Sequence, residues 1–283
     1  MVIFVTGASG YLGSQLVKKL SETHQCVSLI RKSSSRARLE NIHADVVYID
    51  DSDSLERAFD KYRPEVVINT IALYGRKNES LSDLVHANIL VPSDLYALSH
   101  KYGCKAFLHT GTSLPRDVSP YAATKNTFVE LIELTHTSKM KFINVALEHF
   151  YGPQDDSSKF TTYVINSCLN HEDLNLTSGL QQRDFIFIDD TVSAYQTLIH
   201  NVDKLRDIET IPVGSGCAPT VREFVETVHD VSQSQSLLKF GAVPMRENEL
   251  MQSCANTERL LELGWQIEHS LKSGIERVIK DNK

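Results

Sequence analysis

The stretch Val5-Thr-Gly-Ala-Ser-Gly-Tyr-Leu-Gly13 directly follows an apolar run and directly precedes a helix-like run. A strand that turns on glycines into the start of a helix is typical of a site for a dinucleotide pyrophosphate. Gly7 allows the tight turn, Gly10 lets backbone N–H groups approach phosphate, and Gly13 lets helix and strand pack closely. The free N–H groups and the positive dipole end of the helix then face the anion. The stretch predicts a nucleotide cofactor site in preference to a plain glycine-rich turn.

Short apolar runs alternate with helix-like stretches through the first half of the chain. Continuous apolar strands separated by helices indicate a parallel sheet that is covered on both faces. The predicted strands are 3–6, 26–30, 46–49, 66–70, 106–110 and 142–147, and the predicted helices are 14–20, 54–61, 83–102 and 122–135. The expected fold class is therefore α/β, with a Rossmann-like doubly wound parallel sheet.

After Gly152-Pro153 this alternation weakens. Residues 154–180 are polar and predicted to be irregular, residues 185–188 indicate a returning strand, and the region from residue 214 onward mixes turns with short helices. We therefore predict a cofactor-binding Rossmann domain and a smaller, mixed α/β substrate-binding lobe. The Rossmann domain is expected over 1–155 and 184–213, and the lobe over 156–183 and 214–283.

Composition excludes several other classes of protein. The net charge of −7, without a cluster of Lys and Arg between aromatics, argues against a nucleic-acid partner. No apolar run approaches the roughly 18 residues that a membrane helix needs. The chain begins with a predicted strand instead of a charged leader. We therefore expect a cytoplasmic protein with no membrane partner. The five cysteines and eleven histidines are scattered, so no metal site is expected.

A second pattern, Tyr121-Ala-Ala-Thr-Lys125, follows Ser119-Pro120. Because Ser and Pro favour a helix start, Tyr121 and Lys125 are predicted in the first turns, four residues apart on one face. A nearby ammonium should lower the pKa of the phenol, which suits it to donate a proton to a carbonyl oxygen near neutral pH. On its own, a Tyr and Lys pair with this spacing more often lies on the exposed face of a helix.

Hydroxyl residues end the predicted strand before this helix, in Phe107-Leu-His-Thr-Gly-Thr-Ser113. They fall at the carboxyl edge of the sheet, where open α/β sheets bind ligands, although turns also favour hydroxyls. The order of glycine turn, strand-end hydroxyls and Tyr/Lys helix favours an enzyme.

With these features the chain resembles the extended short-chain dehydrogenase/reductase superfamily across nearly its whole length. Further motifs of this resemblance are Tyr151-Gly-Pro153 and the runs 182–189 and 213–216. Narrower runs resemble the nucleotide-sugar branch of CDP-paratose synthases and, less closely, CDP-abequose synthases. These runs are 68–72, 74–80, 111–115, 147–152, 176–185 and 248–251. The resemblance implies reduction of the C4 ketone of CDP-4-keto-3,6-dideoxy-D-glucose by NADPH in O-antigen deoxysugar biosynthesis, with paratose as the product sugar.

The resemblance also implies roles for single residues. Tyr121 would be the acid, Lys125 its partner and ribose ligand, and Thr112 the hydroxyl that binds the keto oxygen. Besides Tyr121 and Lys125, the implied cofactor-binding residues are Gly7, Ser9, Gly10, Tyr11, Leu12, Gly13 and Ala72. The implied substrate-binding residues are Thr112, Tyr74, Glu148, His149, Lys159, Phe160, Leu176, Arg183 and Arg246. Pairing of the helices predicted at 83–102 and 122–135 would give a homodimer.

Three departures or ambiguities accompany these roles. His149 stands where the superfamily usually has Asn, so it and Glu148 either face the sugar or are structural. Arg183 and Arg246 suit a diphosphate, because guanidinium pairs with it bidentately, but Asp184 and Glu247 offer salt bridges instead. The interval from Thr112 to Tyr121 is also short, which indicates a trimmed loop.

Charge at the end of the second predicted strand bears on the cofactor. An acid there suits a free ribose 2′-hydroxyl and an arginine suits a 2′-phosphate, and this strand ends in Arg31-Lys32 without an acid. We therefore predict that Arg31 and Lys32 bind NADPH in preference to NADH, the alternative being a solvated basic turn. Asp50 and Asp51 are candidates for the adenine edge, although acids are common in turns.

Three other activities stay open to different degrees. A 4,6-dehydratase needs an acid and a base beside the catalytic hydroxyl, and Ser113 and Leu114 cannot titrate usefully. A 4-epimerase keeps NAD bound, which the basic pair disfavours less decisively. An NADP-sensing regulator would use the fold only for binding and would not need Thr112, Tyr121 and Lys125 together.

Overall fold

The computed structural model describes residues 1–247 and 249–282, so Asn248 of the run 248–251 lies outside the described residues. Its strands are β1 Val2–Thr6, β2 Gln25–Ile30, β3 Asp45–Tyr48, β4 Val66–Asn69, β5 Ala106–Thr110, β6 Lys141–Leu147, β7 His149–Tyr151, β8 Leu174–Leu176, β9 Gln182–Arg183, β10 Phe185–Phe187, β11 Ile208–Val213, β12 Leu238–Phe240 and β13 Gln252–Ser253. Its α-helices are α1 Tyr11–Leu20, α2 Ser52–Tyr62, α3 Leu81–Val85, α4 Val91–Lys101, α5 Pro120–Thr135, α6 Phe160–Leu169, α7 Ile188–His200, α8 Val221–Ser232, α9 Glu258–Glu262 and α10 Leu271–Asp281.

Seven strands form the central sheet, in the order β11-β6-β5-β4-β1-β2-β3. The pairs from β6 through to β3 are all parallel. Strand order runs outward from β1 in both directions, so the switch point lies between β1 and β4, where such sheets bind ligands at their carboxyl ends. The predicted Rossmann-like, doubly wound parallel sheet is confirmed.

The core explains why these runs form strands. Phe4, Val67, Phe107 and Phe142 come from four different strands and are fully buried. Helix residues such as Phe128 pack into the same cluster. Burial of each such side chain contributes about 1.5 to 3 kcal/mol, and a strand covered on both faces needs an unbroken apolar run.

The chain divides into two compact units. The first unit comprises Met1–Ala146 and Tyr195–Ile211, and the second comprises Leu147–Ala194 and Pro212–Lys283. Compared with the predicted domains, residues 147–155, 184–194 and 212–213 fall in the second unit. The first unit holds the glycine turn and α5, and the second holds α6, α8 and the short strand pairs β7–β10, β8–β12 and β9–β13.

Two predictions of secondary structure are wrong. Residues 154–180 contain α6 and β8, because Val164, Ile165 and Cys168 form a buried face that the polar residues between them conceal in the sequence. The single helix predicted at 83–102 is α3, a π-helical turn at His86–Leu90, and α4. Pro92 in the first turn of α4 has no N–H to donate, which interrupts the α-helical ladder at this point. Within the described residues, no helix is both long and apolar enough to cross a membrane.

Candidate active site

The glycine turn adopts the conformation that its spacing predicts. Gly7 has a left-handed φ of +66°, and the N–H of Gly10 donates to the Gly7 carbonyl at 2.9 Å. A Cβ on Gly13 would clash with that same carbonyl oxygen, so helix and strand approach closely only with glycine. The N-cap of α1 is Gly10, which has no side chain to cap the helix. This arrangement, with Ser9 in the turn and Tyr11 and Leu12 opening the helix, fits the phosphate of a bound dinucleotide.

The charged residues predicted to meet the adenosine have unequal surroundings. Arg31 is exposed just after β2. Lys32 pairs with Asp50, through its backbone N–H at 3.0 Å and its ammonium at 3.3 Å. Asp51 caps α2 by accepting from the Ser54 N–H at 2.7 Å, which lowers the pKa of the carboxyl. The aspartates therefore have structural partners, and their roles at the adenine stay predictions.

Sequence reasoning missed a further cation beside the glycine turn. The guanidinium of Arg38 lies 5.7 Å from the centroid of the Tyr11 ring, in the first turn of α1. Arg36 and Arg38 extend the basic run that begins at Arg31 and Lys32. This clustering of cations in the sequence was the signal that could have identified Arg38.

Helix α5 begins as predicted and brings the catalytic candidates together. Ser119 is its N-cap and accepts from the Ala122 N–H at 3.2 Å, and Pro120 opens the first turn. The side chain of Thr112 lies close enough to Tyr121 to lower the pKa of its phenol. Thr112 is held in turn by the Leu114 N–H, which donates to its Oγ1 at 3.2 Å. The phenol and the hydroxyl proposed to share one substrate oxygen are therefore neighbours.

The expected lowering of the Tyr121 pKa is wrong. Burial raises the pKa of Tyr121 well above its usual value, and the nearby side chain of Thr112 opposes this rise only in part. The pKa of Lys125 moves as well, because burial lowers it to about 7. Desolvation disfavours the charged form of each group, so the phenol stays protonated and the ammonium becomes easy to deprotonate.

Lys125 is only 1% exposed, and its ammonium lies 3.5 Å from the carbonyl oxygen of Ile71. The Oδ1 of Asn69 fixes Ile71 by accepting from its N–H at 3.2 Å. The Nδ2 of Asn69 lies 3.0 Å from Nδ1 of His109, and Thr6 donates to Asn69 at 2.8 Å. Burial and, less strongly, the Lys125 charge hold the pKa of His109 well below its usual range, so the ring is neutral. Sequence reasoning missed this buried network behind Lys125.

Asn88 is another functional candidate that the sequence did not suggest. It lies fully buried in the π-helical turn, and its amide both accepts from the Leu73 N–H and donates to the Leu73 carbonyl, at 2.9 and 3.0 Å. The same Nδ2 donates to Thr124 of α5 at 3.0 Å. Asn88 thus fastens the loop after β4 to the helix that carries Tyr121. π-helical turns recur at functional sites, and this turn is visible in the structure but not in the sequence.

The loop after β4 carries two predicted site residues. Ala72 is half-buried. Tyr74 places its ring 4.9 Å from the ring of Tyr121, centroid to centroid. Tyr74 is therefore beside the candidate acid, as a substrate-binding residue should be.

In the second unit, Arg183 is buried and donates to Glu249 at 2.6 Å. Its expected alternative partner, Asp184, instead accepts from the backbone N–H groups of Ser215, Gly216 and Ala255, at 2.6 to 3.1 Å. Asp184 therefore holds backbone and leaves Arg183 to an acid 66 residues away in the chain. Arg246 is exposed.

Glu148 is buried, whereas the side chain of His149 is partly exposed. The hydroxyl of Ser253 lies 2.7 and 2.8 Å from the two oxygens of Glu148, which is buried. Nδ1 of His149 lies 3.7 Å from Glu148, and its side chain is partly exposed. Glu148 thus links β7 to β13, whereas His149 is the more accessible of the two.

The remaining substrate candidates also lie in the second unit. Lys159 pairs with the buried carboxylate of Asp155 at 2.9 Å and lies 3.5 Å above the Phe150 ring. Phe160 is exposed at the start of α6, and Leu176 is buried in β8. Their roles in substrate binding stay predictions. In the part of the chain that the structure describes, no group of three or more His, Cys, Asp or Glu is placed to hold a metal ion.

Comparison with known proteins places the chain in a family. The model of the NAD dependent epimerase/dehydratase family matches residues 3–214. The CDP-abequose synthase of Salmonella typhimurium is 31% identical over 293 residues, covering 98% of this chain and 97% of its own. That of Yersinia pseudotuberculosis is 25% identical and covers 89% of this chain and 91% of its own.

Among solved structures, the UDP-glucose 4-epimerase of Thermotoga maritima superposes with a TM-score of 0.88 at 23% identity, covering 100% of this chain and 98% of its own. That of Thermus thermophilus, solved in complex with NAD, superposes with a TM-score of 0.84 at 21% identity, covering 99% and 98%. Both likenesses show the fold. The family match and the fold agree, and the chain belongs to the NAD dependent epimerase/dehydratase family.

Proposed function

We propose that the chain is an NADPH-dependent 4-ketoreductase that acts on CDP-4-keto-3,6-dideoxy-D-glucose. The observation that carries the proposal is the placement of a protonated phenol, Tyr121, beside the hydroxyl of Thr112, with the buried Lys125 one turn further along α5. A ketone oxygen that accepts from both groups is activated for reduction. The resemblance noted in the sequence supplies the substrate.

The chain's own residues handle the proton. Tyr121 donates its phenolic proton to the C4 oxygen, and Thr112 donates a hydrogen bond to the same oxygen, where negative charge grows. Bound NADPH supplies the hydride that C4 receives. The ketone thus gains a hydride at carbon and a proton at oxygen, and the phenolate of Tyr121 recovers its proton from solvent. Lys125 hydrogen-bonds the cofactor ribose next to Tyr121.

Charge on the first unit supports NADPH over NADH. The glycine turn is suited to the pyrophosphate, and Arg31 after β2 is suited to the ribose 2′-phosphate. Arg38 beside Tyr11 adds a second guanidinium on the same basic run. An acid that would select a free 2′-hydroxyl does not occur at the end of β2.

Charge on the second unit supports a nucleotide-linked sugar. Arg246 is exposed, and its guanidinium is suited to bind a diphosphate bidentately. Arg183 donates to Glu249, so it would bind a diphosphate by exchanging that partner. The names of the Salmonella and Yersinia relatives, CDP-abequose synthases, point to CDP as the carrier.

Two products fit this chemistry. The resemblance noted in the sequence favours the equatorial 4-hydroxyl of CDP-paratose. The names of the relatives favour the axial 4-hydroxyl of CDP-abequose. Both use the same cofactor, acid and substrate, so they differ only in the face of C4 that receives the hydride.

The test is reduction of CDP-4-keto-3,6-dideoxy-D-glucose, followed by loss of NADPH absorbance and by NMR of the product. We expect NADPH oxidation, with NADH much slower, and coupling constants that identify an equatorial 4-hydroxyl. An axial hydroxyl would replace paratose by abequose. If no nucleotide-linked ketone is reduced with either cofactor, the reductase proposal fails.

We further propose a homodimer that pairs the helical segments at 81–101 and α5. Leu90, Leu131 and Leu134 are exposed on these segments, and Leu134 is 83% exposed. Apolar side chains on neighbouring helices are suited to burial against a second copy. Light scattering of Leu134→Glu should give half the mass of the wild type, and a monomeric wild type would contradict the proposal.

A further inference from the structure

Tyr74 and Tyr121 form an aromatic pair at the candidate acid. Their ring centroids are 4.9 Å apart and the planes are tilted by 36°. Tyr74 is 41% exposed, although an aromatic ring of this size usually gains from complete burial. Its uncovered part is therefore a surface beside the phenol that would meet the reacting carbon.

The position of Tyr74 is fixed from the chain on its N-terminal side. Asn88 holds both backbone polar groups of Leu73, the residue immediately before Tyr74. The same amide is bonded to Thr124, three residues after Tyr121 on α5. One buried side chain thus sets the position of both tyrosines, so their contact is a built feature.

The chain on the other side of Tyr74 turns back over the ring. Gly75 has a left-handed φ of +71°, a backbone conformation that favours glycine. The guanidinium of Arg76 lies 5.0 Å from the centroid of the Tyr74 ring, within the range of a cation–π contact. The ring therefore contacts both Arg76 and Tyr121.

We propose that Tyr74 is a specificity-determining residue that selects ketones without a hydroxyl beside the reacting carbon. This inference rests on the proposed function, in which Tyr121 protonates the oxygen at C4. The carbons on either side of C4 are then within reach of a ring that contacts Tyr121.

The two ketoses differ only at C3, so the proposal places the Tyr74 ring on the C3 side of C4. In a 3,6-dideoxy-4-ketose, C3 is a methylene and C5 carries a methyl group, so both flanks of C4 are apolar. In the 3-hydroxylated ketose, one flank carries a hydroxyl that would lose water against the ring without gaining a partner. An aromatic ring on the C3 side of C4 therefore favours the dideoxy sugar.

The experiment compares CDP-4-keto-3,6-dideoxyglucose with CDP-4-keto-6-deoxyglucose as the ratio of their kcat/KM values. An apolar contact of this kind discriminates by roughly 10- to 200-fold. We expect the wild type to prefer the dideoxy ketone by a factor in this range. Tyr74→Ser, which removes the ring, should lower the preference by about tenfold or more. Tyr74→Phe is the matched control, since it keeps the ring without the hydroxyl and should keep the preference.

Each contrary outcome overturns a distinct claim. An unchanged ratio in Tyr74→Ser, or a loss of preference in Tyr74→Phe equal to that in Tyr74→Ser, removes the ring as the determinant. A weaker affinity for NADPH with an unchanged ratio assigns Tyr74 to the cofactor and overturns the inference. If the wild type reduces neither ketone, the proposed function falls, and this inference falls with it.

Discussion

Lys125 in the first unit and Asp184 in the second are both buried charged side chains, but their surroundings differ. The carboxylate of Asp184 accepts from three backbone N–H groups and from a serine hydroxyl, at 2.6 to 3.1 Å. Among the described residues, the ammonium of Lys125 has one acceptor, at 3.5 Å. A buried charged group that stabilises the fold is saturated with hydrogen-bond partners. A buried charged group that is reserved for a ligand lacks such partners in the ligand-free protein. Replacing the first kind should reduce stability, and replacing the second should reduce function.

The largest functional effect is expected for Tyr121→Phe. Loss of the proton donor should lower kcat by roughly 10²- to 10⁴-fold while the affinity for NADPH stays within a few-fold. Steady-state kinetics and a fluorescence titration of NADPH measure the two quantities. The melting temperature should barely change, because the phenol hydroxyl holds no backbone. Tyr62→Phe deletes a hydroxyl far from the glycine turn in sequence and is the control. Near-normal turnover in Tyr121→Phe would remove this residue from the mechanism.

The largest effect on stability is expected for Asp184→Ala. The substitution leaves three backbone N–H groups without their acceptor, and that of Ala255 is buried. A buried N–H that loses its partner costs about 1 to 3 kcal/mol, so the free energy of unfolding should fall by at least about that amount. Urea unfolding measures it. Asp184→Asn keeps one acceptor oxygen and should be less destabilised. If Asp184→Ala were as stable as the wild type, the distinction between saturated and reserved groups would fail.

Features that depend on local spacing could be predicted from the sequence. The glycine turn, the start of α5 and the placement of Tyr121 and Lys125 on that helix all follow from residues within one or two turns of each other. Contacts between distant residues could not be predicted, because no local sequence pattern connects Asn88 to Thr124 or Arg183 to Glu249. The predicted direction of the Tyr121 pKa failed for the same reason, because burial by distant parts of the chain decides it.

Arg31→Ala should affect the cofactor alone. Among the described residues the guanidinium has no ion pair, whereas neighbouring Lys32 pairs with Asp50. Loss of a hydrogen bond to a charged group should weaken NADPH binding by about 1.5 to 3 kcal/mol and leave NADH binding and the melting temperature nearly unchanged. Isothermal titration with both cofactors tests this. Arg277→Ala, at an exposed arginine of α10, is the control. Equal losses for NADPH and NADH would show that Arg31 does not read the 2′-phosphate.

Lys125→Met tests the comparison of Lys125 with Asp184 from the other side. It should lower activity and raise the stability of the ligand-free protein. In the folded protein the pKa of Lys125 is about 7, whereas a lysine exposed to water has a pKa of 10.5. Below pH 7 the buried ammonium destabilises the fold by its full desolvation cost. Between about pH 7 and pH 10.5 the folded protein binds fewer protons than the unfolded chain, so wild-type stability rises with pH in this window.

The stabilisation by Lys125→Met should therefore be largest below pH 7 and shrink as the pH rises above it. At pH 6 we expect a gain in melting temperature of at least about 2 °C, since 1 kcal/mol corresponds to roughly 2 to 4 °C in a chain of this size. Calorimetry at pH 6 and pH 9.5 measures both gains. Lys18→Met, at an exposed lysine of α1, should give no such difference between the two pH values. An equal gain at both pH values would contradict the buried ammonium as its cause, and a loss at pH 6 would mean that Lys125 holds the fold as Asp184 does.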